Sequence, residues 1–155
     1  MTEQFSVLVY GYGNRGRGDD GAGIYLTDTL REKQYQDCFI TQAFQLNVED
    51  ALLIAEYSLI IFVDAACNLS QPFRFSRLKA APVIEFTTHA MHPSSVLALC
   101  NELYQKDPPC YMLEIAGHCW EMKEALSWET EEACKSALKH IDSYLLNPRL
   151  LVKSS

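Results

Sequence analysis

Three observations predict an α/β fold: a mostly parallel, twisted sheet with helices on both faces, stacked in three layers. Short apolar runs, Phe5 to Tyr10 and Leu59 to Val63, alternate along the chain with segments of helical periodicity. Leu59 to Val63 is apolar at every position, as a central parallel strand buried on both faces requires. Strands that alternate with helices imply crossover connections, and these place helices on both faces of the sheet.

The elements follow in order. Phe5 to Gly11 reads as a buried strand that ends in glycine, followed by a glycine-rich loop, Tyr12 to Gly18. A helix is expected from about Asp20 to Lys33, with Ala22, Leu26 and Leu30 on one face. A second strand falls at Cys38 to Phe44, a short helix at Val48 to Glu56, and the third strand at Leu59 to Val63. Residues 68–88 carry Pro72 and Pro82 among short β-like pieces, one of them Val83 to Phe86. Ser94 starts a helix with Val96, Leu97, Cys100, Leu103 and Tyr104 as its apolar positions, and Pro108 and Pro109 close that region. Tyr111 to Ile115 is a further strand. Ser127 caps the last helix, whose first turns hold Glu129, Glu131 and Glu132 and whose buried stripe is Ala133, Ala137, Ile141 and Tyr144.

At 155 residues, with no repeat or Gly/Ser linker, the chain is expected to form one domain spanning 1–155. A net charge of −7 argues against sequence-independent nucleic-acid binding and against an anionic membrane surface. The longest apolar stretch, Leu59 to Cys67, is broken by Asp64, and the first residues lack the pattern of a signal peptide, so a cytoplasmic location is expected. The six cysteines have neither C-x-x-C nor zinc-ribbon spacing and read as core residues or free thiols.

Gly11, Gly13 and Gly16 match the dinucleotide pattern G-x-G-x-x-G after a strand. The charges disagree with it. Asp19 and Asp20 stand where a pyrophosphate would meet the helix N-terminus, and no acidic residue ends the second strand. The other use of such a loop is to project carboxylates into the crevice beyond the strand ends. Asp20 after the first strand and Asp64 at the end of the third would share that crevice if the strands are neighbours. Helix capping and an Asx turn are the plain alternatives for these two residues. His89 follows the β-like piece at Val83 to Phe86 and has access to the same place. Two carboxylates and one imidazole suit a loosely held divalent metal such as zinc or nickel.

With these residues assembled, a family resemblance emerges. Val7 to Asn14, then Arg17 to Gly23 with Asp19-Asp20-Gly21, resembles the opening signature of the nickel–iron (NiFe) hydrogenase maturation endopeptidases. The similarity continues at Ile60 to Ala65, Thr88 to Ala90, Ile115 to Gly117 and Leu126 to Glu129, in the right order over nearly the whole chain. The resemblance implies a peptidase, of carboxylate-dependent or aspartyl type, that trims the C-terminus of a hydrogenase large-subunit precursor. It implies metal contacts from Asp20, Asp64 and His89, with His92 as the alternative histidine, and catalytic roles for Asp20 and Asp64. The metal is nickel carried by the substrate; no nucleotide is implied, and a monomer is expected. The chain departs from the family at Arg15-Gly16 and at His118-Cys119-Trp120.

No G-x-S-x-G or H-E-x-x-H pattern supports a serine or zincin mechanism. Asp19 is expected to be structural, capping the helix or pairing with Arg17. Gly11, Gly13, Gly18 and Gly21 are expected to permit close approach or positive φ. Trp120 and Trp128 are expected to pack beneath the last helix. Two rival readings stay open: a non-catalytic module that checks nickel loading, and a dinucleotide-binding protein.

Overall fold

The computed structural model describes residues 4–85 and 90–153. Five strands form one sheet: β1 (Val7–Tyr12), β2 (Cys38–Ala43), β3 (Leu59–Ala66), β4 (Phe73–Leu78) and β5 (Cys110–Ala116). Their order across the sheet is β2-β1-β3-β5-β4, all parallel except β4, which runs antiparallel to β5 at one edge. The helices are α1 (Ala22–Lys33), α2 (Asp50–Ile54), α3 (Pro93–Tyr104), α4 (Trp128–Leu146) and α5 (Arg149–Lys153).

The pleat divides the strand residues between two cores. Val7, Val9, Ile61, Val63, Leu113 and Ile115 face α1 and α4, meeting Ala22, Leu26, Leu30, Ala133, Ala137 and Ile141. Leu8, Tyr10, Ile60, Phe62 and Met112 face the opposite way, toward Ala51 and Ile54 of α2 and Val96, Leu97 and Cys100 of α3. These two sandwiched interfaces make the three layers that the apolar runs predicted.

Local chemistry sets the helix boundaries. Ser127 caps α4, its side chain accepting the Thr130 N–H, and Glu129 and Glu131 lie in the first turn where the helix dipole favours negative charge. Pro93 stands at the first position of α3 behind His92, whose ring accepts the Ser94 N–H. Gln34 and Gln105 end α1 and α3 in the left-handed conformation.

Several expected boundaries move. Asp20 is not in α1; it lies in a short 3₁₀ turn, Gly18–Gly21, that precedes the helix. The strand carrying Asp64 runs three residues beyond Val63, to Ala66, because β5 continues alongside it. The proline-bearing region supplies β4, an edge strand set between Pro72 and Pro82, whereas Val83 to Glu85 is not a strand. Tyr144 is only partly buried and Leu145 takes its place in the core, while Leu103 of α3 is exposed.

The connections create one crevice. From β1 the chain passes through α1 on one face to β2, then crosses by α2 on the other face to β3 on the far side of β1. The connections therefore diverge between β1 and β3, and their carboxyl ends open there, where parallel sheets bind ligands.

Candidate active site at the β1/β3 switch point

The loop after β1 folds around one carboxylate. Asp20 Oδ2 accepts the Asn14 N–H at 2.8 Å, the Asn14 side-chain oxygen accepts the Gly16 N–H at 2.9 Å, and the Arg17 N–H returns to the Asn14 carbonyl. Gly13 makes this fit possible. Its φ of +139° is closed to side-chain-bearing residues, and a Cβ there would collide with the Asp20 carbonyl oxygen. On the other side, Gly23 lets α1 lie against β3; a Cβ at that position would sit 2.5 Å from the Val63 carbonyl oxygen.

Asp64 stands across the crevice. Its Oδ1 accepts the N–H of Ala65 at 2.8 Å. Pairing of Gly11 with Val63 sets Tyr12 beside Asp64, and on the other flank Asp64 pairs with Glu114. Glu114 in turn takes a two-pronged ion pair from Arg74 of β4, with contacts of 2.9 Å to each carboxylate oxygen. A row Tyr12–Asp64–Glu114–Arg74 thus crosses four strands on one face of the sheet.

Burial pushes the Asp64 carboxyl up, and the negative charges of Asp20 and Glu114 add to it. The Ala65 N–H and the Tyr12 hydroxyl, which donates to the carboxylate, pull the other way; the balance sits at about 7. Tyr12 itself is pushed well above the ordinary phenol value by burial and by Asp64. A carboxyl poised near neutrality exchanges a proton readily, as a general acid or base must.

Asp19, next to Asp20, is fully buried and points away from the crevice. Its Oδ2 accepts the N–H groups of His118 and Cys119 and the Ser127 hydroxyl, and its Oδ1 accepts the Ser127 N–H, all at 2.7 to 2.8 Å. Burial alone would raise its pKa, but these donors bring it down to about 2. Its role is structural, as expected, with different partners. It neither caps α1 nor pairs with Arg17, but ties the loop after β5 and the start of α4 to the turn that presents Asp20.

The loop expected to pack as Trp120 and Trp128 divides. Trp120 lies against Gly117, but Trp128 is 72% exposed and does not pack beneath α4.

The structure thus brings Asp20 and Asp64 into electrostatic contact at one crevice. His89 lies outside the described residues. His92 serves as the cap of α3, with Nδ1 3.1 Å from the Ser94 nitrogen. Among the described residues no group of three His, Cys, Asp or Glu side chains is arranged to hold a metal. Tyr12 and Glu114 went unrecognised in the sequence. Glu114 carried a signal, a lone charge inside the apolar run Cys110 to Ala116, whereas Tyr12 reads as one more aromatic of β1.

No protein-family model matches the chain, and no curated protein does. Solved structures do. The hydrogenase maturating endopeptidase HybD from E. coli superposes with a TM-score of 0.71 at 19% identity, covering 91% of this chain and 92% of that one. The NiFe hydrogenase maturation protease HycI from Thermococcus kodakarensis gives 0.69 at 21% identity over 91% and 92%. A hydrogenase 2 maturation peptidase from a Thaumarchaeota archaeon gives 0.67 at 21% over 92% and 99%. The chain has the fold of the hydrogenase maturation endopeptidases, over nine-tenths of its length.

Proposed function

We propose that the protein is an endopeptidase that removes the C-terminal peptide from a nickel-loaded NiFe-hydrogenase large-subunit precursor. The observation that carries this reading is the pair of carboxylates, Asp20 and Asp64, set at the switch point of a maturation-endopeptidase fold. Both residues fall on the positions that the family resemblance assigns to the site.

Cleaving an amide needs a base for the attacking water and a proton for the leaving amine. Asp20 holds the Asn14 N–H on one oxygen, and its other oxygen acts as base toward water. The proton that Asp20 takes from the water passes on to the departing nitrogen, while Asp64 across the crevice stays ionised toward the nickel. Nickel enters as part of the substrate: Asp20, Asp64 and His89 contact it, and the substrate's own ligands complete its coordination. An incomplete set of this kind binds free metal weakly and responds to a loaded precursor, which fixes the scissile bond beside the carboxylates. The glycine loop is not a nucleotide cradle in this reading, since the Asn14 N–H that a phosphate would need already serves Asp20. No helix among the described residues is long and apolar enough to cross a membrane. Independently of that, the reading takes the protein as a monomer that meets its precursor in the cytoplasm.

The test incubates the protein with nickel-loaded and nickel-free precursor and measures intact product mass. Loss of the C-terminal peptide from the loaded precursor alone is expected. No shortening of either, with stable binding, would favour a non-catalytic checking module. Equal shortening of both would remove nickel from the account of recognition.

A further inference from the structure

The row Tyr12–Asp64–Glu114–Arg74 sets two acidic side chains on neighbouring strands, one of them in the site. Asp64 and Glu114 are partners in the parallel register of β3 and β5, about 4.8 Å apart between strands. Carboxyl groups this close tend to turn together and hold one proton between them. An Asp64 closed on Glu114 in that way would face β5. Asp20, held by the loop after β1, lies on its other flank.

Each end of the row carries a group that pulls against this closure. On the β4 side, Arg74 donates from Nε and Nη2 to both oxygens of Glu114 at 2.9 to 3.1 Å. Arg74 and Glu114 are themselves register partners, so the ion pair draws the Glu114 carboxylate toward β4. Only 21% of the Glu114 side chain is exposed, which shelters the pair more than an ordinary surface ion pair. On the β1 side, the Tyr12 hydroxyl donates to the Asp64 carboxylate. The ring that carries this hydroxyl is held in place. It meets Tyr10 edge-on with centroids 6.5 Å apart, and the Tyr12 backbone is paired with Ala43 of β2 and lies against Gly23 of α1. Taken singly, Tyr12 is a strand aromatic and Arg74 a cross-strand ion pair. Their placement at opposite ends of one carboxylate pair gives them a joint effect.

We propose that Tyr12 and Arg74 are positioning residues, which draw Asp64 and Glu114 apart and keep the Asp64 carboxylate turned toward Asp20 and the nickel of the precursor. Tyr12 acts through Asp64 and Arg74 acts through Glu114; neither touches the substrate. The consequence for the precursor rests on the peptidase reading, whereas the geometry does not.

The test uses Tyr12→Phe and Arg74→Met, singly and together, which keep the buried ring and the aliphatic stem. Crystal structures of the substrate-free proteins read the geometry. In the double variant the nearest carboxyl oxygens of Asp64 and Glu114 should close to about 2.5–2.7 Å, the distance of a shared proton. Side chains that stay where they are in wild type would overturn the proposal. Calorimetry in the Asp20→Asn background, chosen to keep the precursor uncut, reads the consequence. The double substitution should weaken binding of nickel-loaded precursor at least about tenfold and leave nickel-free precursor within about twofold. Unchanged affinity for the loaded precursor, or equal weakening of both, would overturn the proposal as well. Arg77→Met, on the same strand but over Tyr111 on the opposite pleat face, should behave as its parent. Absence of trimming by wild type counts against the peptidase reading alone, because the crystal structures decide the positioning without it.

Discussion

Replacing Asp19 by Asn deletes one buried charge and turns one acceptor oxygen into a donor. In the native protein Oδ2 accepts from His118 N, Cys119 N and the Ser127 hydroxyl, and Oδ1 accepts from Ser127 N. Whichever way the amide is turned, its NH2 group faces at least one backbone N–H. The carboxyl sits at about 2 in the folded protein against an ordinary aspartate value of 3.8. At 1.36 kcal/mol per pK unit, that difference stabilises the ionised folded state by about 2 kcal/mol. The mismatched donor adds roughly 1–3 kcal/mol, so Asp19→Asn should cost about 3–5 kcal/mol at neutral pH. Because the folded-state value is the lower one, the charge-linked part is complete above about pH 4 and is lost as pH falls through about 2. Urea melts of both proteins at pH 7, and in steps from about pH 4 down to about pH 2.5, measure this directly. The penalty should shrink by about 1–2 kcal/mol across the acid range. A penalty below about 1 kcal/mol at pH 7, or one that does not change with acid, would refute the assignment of Asp19 as the charged clamp between the Asp20 turn and α4.

Further outcomes follow from the same geometry. Asp64 is raised from 3.8 to about 7, so its ionisation opposes folding increasingly as pH rises from about 4 to 7; Asp64→Asn should therefore be at least as stable as wild type at pH 8 by thermal melting, while losing about 10²–10⁴-fold in cleavage rate. In the protein free of substrate, the Asp64 carboxyl should take up its proton as pH falls through about 7, followed by NMR, and a value near 4 would contradict the account of its burial. Gly13→Ala forces a side chain into φ +139° and against the Asp20 carbonyl, and should lower stability by at least about 2 kcal/mol together with cleavage. Trp128→Ala should change stability by less than about 0.5 kcal/mol, since the ring is largely in solvent; a larger loss in a denaturant melt would show that it packs after all.

The periodic part of the architecture was legible because it obeys local rules. Leu59 to Val63 could only be a strand buried on both faces, and Ala22, Leu26 and Leu30 could only be one buried face of a helix. β4 was obscured because prolines bracket it and, as an edge strand, half of its positions are polar: Arg74, Ser76 and Arg77. Asp20 and Asp64 were legible as charges at the ends of apolar runs. The partners of Asp19 were not, since His118, Cys119 and Ser127 lie about a hundred residues away and only the fold closes that distance. The same holds for Tyr12 and Glu114, whose place beside Asp64 depends on strand order and register. Trp128 failed for a different reason. It is the first residue of α4, and the helical phase that buries Thr130 and Ala133 turns it outward.

The most direct measurement is the intact mass of nickel-loaded large-subunit precursor after incubation with wild type, Asp20→Asn and Asp64→Asn, each variant first checked for a native circular dichroism spectrum. Loss of the C-terminal peptide with wild type, and an uncut precursor with either folded variant, is the expected result. Cleavage by both variants at the wild-type rate would show that the carboxylate pair at the β1/β3 crevice is not the catalytic centre.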